Sequence, residues 1–254
     1  MKKQLLMGMA LLICTSIYAQ RNNNSVYWNT WEYTAKEGMQ GDFEKAAAKK
    51  TAMFNNTPGT AIWTYRIITG PDAGNYYRVQ GKQSAADYDL DRSAEGKYWA
   101  DNVAKYVAKN KGQVRWQRLN NGSYDPNPED NTPSKYVTRT FYNVKPDKVM
   151  HFRRMMSRMS KVAEKRGWDG RSLYRLVSGG NRNLFVQTAG FETYKRAETD
   201  GEEPETTARE DYNEMFGWGS WEEDWKNFDA SLEYWGEQTD LMQLVPEMST
   251  GMMN

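Results

Sequence analysis

Short segments rich in aromatic and β-branched residues alternate along the chain with longer segments whose apolar residues recur every three or four positions. Residues 26–34 (VYWNTWEYT) have the first character and predict a strand. Residues 37–54 have the second, with Met39, Phe43 and Ala47 in a helical rhythm that ends before a Pro-Gly pair. The pattern therefore predicts a strand followed by a helix.

The same two patterns continue along the rest of the chain. In the first half we predict two strands joined by a Gly-rich turn, then a helix and a strand, at 61–69, 75–81, 94–109 and 113–119. In the second half we predict strand, helix, two strands, helix and strand, at 135–143, 146–166, 172–178, 183–190, 208–233 and 239–245. Each half thus has the order β-α-β-β-α-β.

Three landmarks of the first half recur in the second half at one constant offset of 109 positions. The matched segments are 27–33 with 136–142, Phe43 with Phe152, and 65–70 with 174–179. One offset that serves three separated segments predicts an internal duplication.

The order β-α-β-β-α-β is that of a ferredoxin-like unit, whose four-stranded sheet carries helices on one face only. The bare face of each sheet needs a cover, so we predict an α+β fold of two ferredoxin-like repeats with their sheets packed face to face as a pseudo-dimeric α/β barrel. In this order and repetition the chain resembles the dimeric α/β-barrel superfamily, in its tandem form with both halves in one polypeptide. Members include antibiotic-biosynthesis monooxygenases, haem-degrading enzymes, chlorite dismutases and muconolactone isomerases. The resemblance implies a site between sheet and helices or at the barrel mouth, and it transfers no activity.

The first residues, MKKQLLMGMALLICTSIYAQ, have the basic start and short apolar run of a Sec-type signal peptide. We expect cleavage near Ala19 and a protein that is exported, either periplasmic or secreted. The apolar run is too short for a permanent membrane anchor. The predicted segments are therefore a signal peptide, a first repeat, a linker rich in turn-forming residues, a second repeat and a tail, at 1–19, 20–119, 120–134, 135–248 and 249–254.

Removal of the signal peptide takes away Lys2, Lys3 and Cys14, which leaves 32 basic against 33 acidic residues and no cysteine. A chain with a net charge near zero lacks the basic surface that nucleic-acid binding requires, so we predict no nucleic-acid partner. Without disulfides, stability must come from a packed core. The oligomeric state is left open.

His151 is the single histidine, and it lies beside the buried stripe of the helix 146–166. One interpretation makes it a haem ligand, because some members of the superfamily bind haem through a histidine. The other makes it a polar residue on the flank of a helix, which is our prediction. With one histidine and no mature cysteine, we predict no metal site and no cofactor, with haem as the alternative.

Aromatic residues are abundant, with 10 Trp, 16 Tyr and 8 Phe. In the helix 208–233, Trp218, Trp221, Trp225 and Phe228 share one face. We predict that these rings fill the layer between helices and sheet; the alternative is an aromatic-lined cavity for a flat or apolar small molecule.

The matched dipeptides Tyr65-Arg66 and Tyr174-Arg175 are the main polar candidates. An arginine in a central strand needs a partner, which is either a structural one such as Glu32 or an anionic ligand between the sheets. The candidate ligand-binding residues are Asn29, Trp31, Tyr65, Arg66, Tyr174 and Arg175. The candidate catalytic residues are His151, Arg66 and Arg175.

Two hypotheses for function remain. The first is an exported small-molecule-binding or accessory protein with an aromatic-lined pocket and an apolar or aromatic ligand. The second is a monooxygenase-like, isomerase-like or haem-linked enzyme, as the resemblance implies. The sequence favours the first, because it shows no complete constellation of acid, base or metal ligands.

Overall fold

The computed structural model describes residues 26–128, 130, 132–197 and 205–251. The predicted signal peptide lies outside the described residues. Eight strands, β1 to β8, account for most of the regular structure: Tyr27–Ala35, Trp63–Ile67, Tyr76–Gln83, Val107–Arg118, Tyr136–Val144, Arg171–Ser178, Leu184–Phe191 and Leu232–Leu244. The helices α1 to α5 are Gln40–Phe54, Ser93–Asn102, Val149–Lys165, Ala208–Phe216 and Ser220–Ser231.

The eight strands form one closed antiparallel barrel in the order β1-β3-β2-β8-β5-β7-β6-β4, with β4 pairing back to β1. Two of these pairings join the halves of the chain. Tyr65 of β2 lies opposite Leu244 of β8, and Trp116 of β4 lies opposite Leu176 of β6. Each half therefore completes the hydrogen bonding of the other.

The predicted fold of two ferredoxin-like repeats with their sheets packed face to face is wrong. The barrel is a single continuous sheet, because the edge strands that a four-stranded unit would expose are hydrogen-bonded across the two halves. Closure leaves none of the described strands at an open edge. At an open edge, unpaired backbone N–H and C=O groups could pair with another chain. The internal duplication stays a prediction.

The helices cover the outside of the barrel over two aromatic clusters. Phe43 of α1 packs on Tyr33 and Tyr76. Phe152 of α3 packs on Tyr142 and Phe185 in the same way. None of the helices in the described ranges combines the length and apolar character that crossing a bilayer requires.

Two predicted helices end earlier than the sequence pattern suggests. The helix predicted at 94–109 ends at Asn102, and β4 begins at Val107. The helix predicted at 208–233 is divided into α4 and α5 at Gly217 and Gly219, which have φ of 103° and 78°. Glycine adopts a positive φ readily. Because an α-helix needs a negative φ, the helix cannot run through these two residues.

This break changes the predicted aromatic face. Trp218 falls in the turn between the two helices and is 98% exposed, and Trp225 is 45% exposed. Phe228 is buried and Trp221 half-buried in the cluster beneath α5. The prediction that all four rings fill the layer between helix and sheet is therefore wrong for Trp218 and holds for Phe228.

Candidate functional site

Side chains alternate between the outside and the inside of the barrel along each strand. In β1, Trp31 and Tyr33 face outward and pack in the cluster below α1. Trp28 and Thr30 face inward, opposite Trp116 and Val114 of β4. The pattern of inward residues on all eight strands decides whether the barrel is filled or hollow.

The barrel interior holds a cavity of about 1060 Å³, and all eight strands contribute to its wall. Most of the strand residues in this wall are aromatic or apolar. They include Trp28, Trp63, Tyr65, Tyr77, Val79, Trp116, Val137, Tyr174, Val186 and Met242. An eight-stranded barrel has an interior that is either filled by side chains or just wide enough for one small ligand, and this one is of the second kind.

The segment predicted as a linker lies across one end of this cavity. Residues between Ser123 and Ser134 line it, together with Gly190 near the end of β7 and Glu192 just after that strand. The segment is held in place because Tyr124 and Arg171 exchange backbone hydrogen bonds of 2.8 and 2.7 Å, and the Ser123 hydroxyl accepts from Leu173 N. The linker thus serves as a wall of the cavity.

Trp28 is the central aromatic residue of the wall. Its ring lies 6.0 Å from that of Trp63 and 5.4 Å from that of Tyr174, the latter edge to face. The ring rests directly on Gly81 of β3, where an added Cβ would come within 2.7 Å of Trp28 Cζ3. Trp28 Nε1 is buried and has no hydrogen-bond partner among the described residues. Glycine at position 81 therefore makes room for this ring.

Several buried polar groups also belong to the interior. Arg139 of β5 pairs with Asp240 of β8, and its guanidinium lies over the ring of Tyr77 at 4.2 Å. Burial opposes the charge of Arg139, but Tyr77 and Asp240 outweigh it, so the pKa of Arg139 lies above its ordinary value. Trp116 Nε1 donates to the Thr30 hydroxyl at 3.0 Å. These interactions pair the buried polar groups with one another and keep their side chains in position.

Three tyrosine hydroxyls of the wall are neutral at physiological pH. Burial is the main cause that raises the pKa of Tyr65, Tyr77 and Tyr174. Tyr65 and Tyr174 also interact electrostatically with each other, which places residues from the two halves of the chain in one site. A neutral phenol donates one hydrogen bond and accepts others, so these groups suit recognition of a polar atom on a ligand.

The six residues predicted to bind a ligand fall into two groups. Tyr65 and Tyr174 line the cavity. Asn29 faces outward, accepts from the Tyr88 hydroxyl and donates to Gln80. Trp31 packs under the helices of the first half.

The two predicted arginines also lie outside the cavity. Arg66 is exposed and lies over the ring of Tyr76 at 6.0 Å, and Arg175 donates to the Arg182 carbonyl at 3.5 Å. The structural partner considered for them, Glu32, instead pairs with Lys111 and accepts from Asn75. The residue after each tyrosine points outward because neighbours in a strand face opposite sides of the sheet.

His151 is half-buried on α3 and lines none of the described cavities. A haem held by this histidine therefore does not fit the barrel cavity. Among the described residues no group of three or more His, Cys, Asp or Glu side chains is arranged to bind a metal ion.

Sequence reasoning missed several residues of the cavity. Trp28, Trp63, Trp116 and Arg139 are absent from the predicted set, yet all four line the interior. The sequence did carry a signal for Trp28: along β1, Trp28 and Thr30 alternate with the outward Trp31 and Tyr33, which places them on the inner face. What the pattern lacks is the register between strands, which brings these residues together.

The similarity to known proteins is confined to structure. No family model and no curated protein matches the sequence. A candidate monooxygenase from Lactobacillus acidophilus NCFM has a TM-score of 0.55 and 10% identity, over 89% of this chain and 96% of that one. A candidate monooxygenase from Fusobacterium nucleatum subsp. nucleatum has a TM-score of 0.55 and 10% identity, over 87% and 92%.

At this identity the comparison bears on the fold alone. A chlorite dismutase from Candidatus Nitrospira defluvii reaches a TM-score of only 0.49, which supports no inference about haem. The predicted resemblance to the dimeric α/β-barrel superfamily is confirmed at the level of the fold, which this chain shares with both candidate monooxygenases.

Proposed function

We propose that this protein binds a flat, largely apolar small molecule inside its barrel. One observation carries the proposal: the interior, which side chains could have filled, contains a cavity of about 1060 Å³ whose strand residues are mostly aromatic or apolar. Binding sites for small molecules are concave and mostly apolar, with a few polar groups that fix orientation. The barrel interior matches each part of that description.

The polar groups of the wall narrow the chemistry of the ligand. The rings of Trp28, Trp63 and Tyr174 offer aromatic contacts to a planar ring system. Tyr65 and Tyr174 keep their protons because burial raises the pKa of each, so they donate hydrogen bonds to a keto or hydroxyl oxygen. A fused aromatic phenol or quinone satisfies both requirements.

In the interior of the barrel, the buried ion pair and the buried tyrosines favour binding without chemistry over catalysis. The Asp240 carboxylate accepts from Arg139 and is only 3% exposed, so it is held in an ion pair and is a poor general base. The buried tyrosines keep their protons at neutral pH, so no phenolate is present to act as a base. The second candidate is a cofactor-free enzyme of the monooxygenase or isomerase type, and the two similar structures are themselves named as candidate monooxygenases.

Tryptophan fluorescence separates these ideas. Titration with 2-naphthol and 1,4-naphthoquinone should quench the emission of the wild-type protein in a saturable way. Val137→Trp places an indole inside the cavity and should weaken binding by about tenfold or more. Glu237→Trp, on the exposed outer side of β8, is the matched control and should bind normally.

No saturable binding of either probe at millimolar concentration, or equal binding by both variants, would refute the proposed site. Oxygen consumption or a changed product during the same titration would favour the enzyme.

We also propose that the mature chain begins near Gln20 and acts outside the cytoplasm. The basic start and short apolar run of the first residues support this. Cell fractionation with mass spectrometry of the N-terminus tests it, and a full-length cytoplasmic product would contradict it.

A further inference from the structure

A second, smaller cavity lies outside the barrel, where the end of β4 meets the start of α3. Its volume is about 430 Å³. Three arginines line it, Arg118 from β4 and Arg153 and Arg154 from α3. No acidic side chain of the described ranges contributes to the lining.

The charges of these arginines are only partly balanced. Arg154 Nε lies 3.0 Å from Asp224 Oδ1, and Arg158 occupies the other oxygen of that carboxylate. Arg118 donates to neutral groups, Asn120 Oδ1 at 3.0 Å and Ser172 Oγ at 3.4 Å. Arg153 has no carboxylate partner within the part of the chain that the structure describes. Like charges that converge on one cavity repel one another unless an anion lies between them.

One part of the wall of this cavity is held in place by a hydrogen bond and by close packing. The turn Asn120–Gly122 is tied to α3 because the Ser160 hydroxyl donates to the Asn121 carbonyl at 3.0 Å. Gly122 is packed so closely that an added Cβ would lie 2.5 Å from Leu173 Cδ2. The turn that follows Arg118 is therefore held against α3 and against Leu173 of β6.

Neutral donors add to the arginine charges. Ser157, Asn120 and Asn121 also line the cavity and offer hydroxyl and amide groups. Guanidinium groups bind tetrahedral oxyanions through paired hydrogen bonds.

We propose that this arginine cavity binds an oxyanion, either free inorganic phosphate or the phosphate group of a small monoester. The site is separate from the ligand proposed for the barrel. The two cavities share only the wall residue Arg118 and the adjoining strand ends, so either proposal can fail without the other.

Calorimetric titration at constant ionic strength tests this site with inorganic phosphate and with glycerol 3-phosphate. The full-length mature protein should bind at least one of them, while potassium chloride gives no saturable signal. Arg153→Gln should weaken binding by about tenfold or more, a loss of about 1.4 kcal/mol. Arg182→Gln removes an exposed arginine that lines neither cavity and should leave binding unchanged.

Tighter binding of glycerol 3-phosphate than of phosphate would identify a monoester as the ligand; the reverse would identify the free ion. Circular dichroism and the melting temperature show whether Arg153→Gln folds, and Arg154→Gln provides a second variant if it does not. The proposal is overturned if neither probe binds, or if the folded Arg153 and Arg154 variants bind as the wild type does.

Discussion

Arg139 and Asp240 face each other directly across β5 and β8, with Arg139 Nε 3.0 Å from Asp240 Oδ1. They are 2% and 3% exposed, so the pair is almost fully removed from water. The pair lies on the inner face of the barrel, beside the proposed ligand cavity.

Removal of one partner should destabilise the barrel strongly. Arg139→Met leaves the Asp240 carboxylate buried without its cation, which should lower the free energy of unfolding by about 3–5 kcal/mol. Because an apolar pair can replace a buried ion pair at little cost, the double variant Arg139→Met/Asp240→Leu should recover most of that loss. Urea denaturation measures both, and equal stabilities of the single and double variants would contradict the prediction.

Glycine at position 81 should be required for the position of the Trp28 ring. Gly81→Ala places a methyl group 2.7 Å from Trp28 Cζ3, so the ring must move. We expect a loss of about 1–3 kcal/mol in the free energy of unfolding, together with a weaker response to 2-naphthol. Gly96→Ala, on an exposed helical position with nothing within 4 Å, is the control and should stabilise by about 0.5–1 kcal/mol. Equal effects of the two substitutions on unfolding would rule out a special role for Gly81.

A buried lysine gives the protein a distinctive pH dependence. Lys50 contacts Glu95 and Asn55, and burial together with nearby Arg78 lowers its pKa from 10.5 to about 8. Between these two values the unfolded chain keeps the proton and the folded protein releases it, so stability rises as pH increases through this window. The gain is on the order of 1–3 kcal/mol.

The Lys50→Met variant isolates this effect. The difference in unfolding free energy between wild type and variant should grow in favour of the wild type as the pH rises from about 8 towards 10.5. Urea titrations at several pH values measure the difference. A constant or shrinking difference would show that Lys50 keeps its proton in the folded state over this range.

The tyrosine hydroxyls of the cavity should contribute to ligand binding without being needed for folding. Tyr65→Phe and Tyr174→Phe each remove one hydroxyl and should weaken 2-naphthol binding by about 0.5–1.5 kcal/mol. Tyr234→Phe, at an exposed position, is the control. Affinities unchanged in both cavity variants would mean that these hydroxyls do not contact the ligand.

The sequence predicted the individual strands and helices better than the way in which the strands assemble into a barrel. Strand and helix patterns located every strand, because period-2 and period-3.6 patterns reflect burial within one element. The break between α4 and α5 at Gly217 was not predicted, because the helical spacing of the aromatic residues Trp218 and Trp221 suggested one continuous helix. Barrel closure was missed because pairing of β2 with β8 depends on register between distant segments, which no local pattern encodes.

For the candidate site, too, the sequence predicted some single residues but not how residues from different strands come together. Tyr65 and Tyr174 were found because they match in the two halves, and both line the cavity. Their neighbours Arg66 and Arg175 were included as part of the same motif, although strand alternation directs them to the opposite face. Arg139 was missed because its importance comes from Asp240, which lies far away in sequence.

The most direct test of ligand binding inside the barrel follows the indole N–H signals of the ten tryptophans during a titration with 2-naphthol. Single Trp→Phe variants assign the signals in two-dimensional ¹⁵N–¹H spectra. We predict saturable shifts for Trp28, Trp63 and Trp116, which line the cavity, and none for the exposed Trp218 and Trp235. Shifts confined to the exposed tryptophans, with the three interior signals unmoved, would contradict the account.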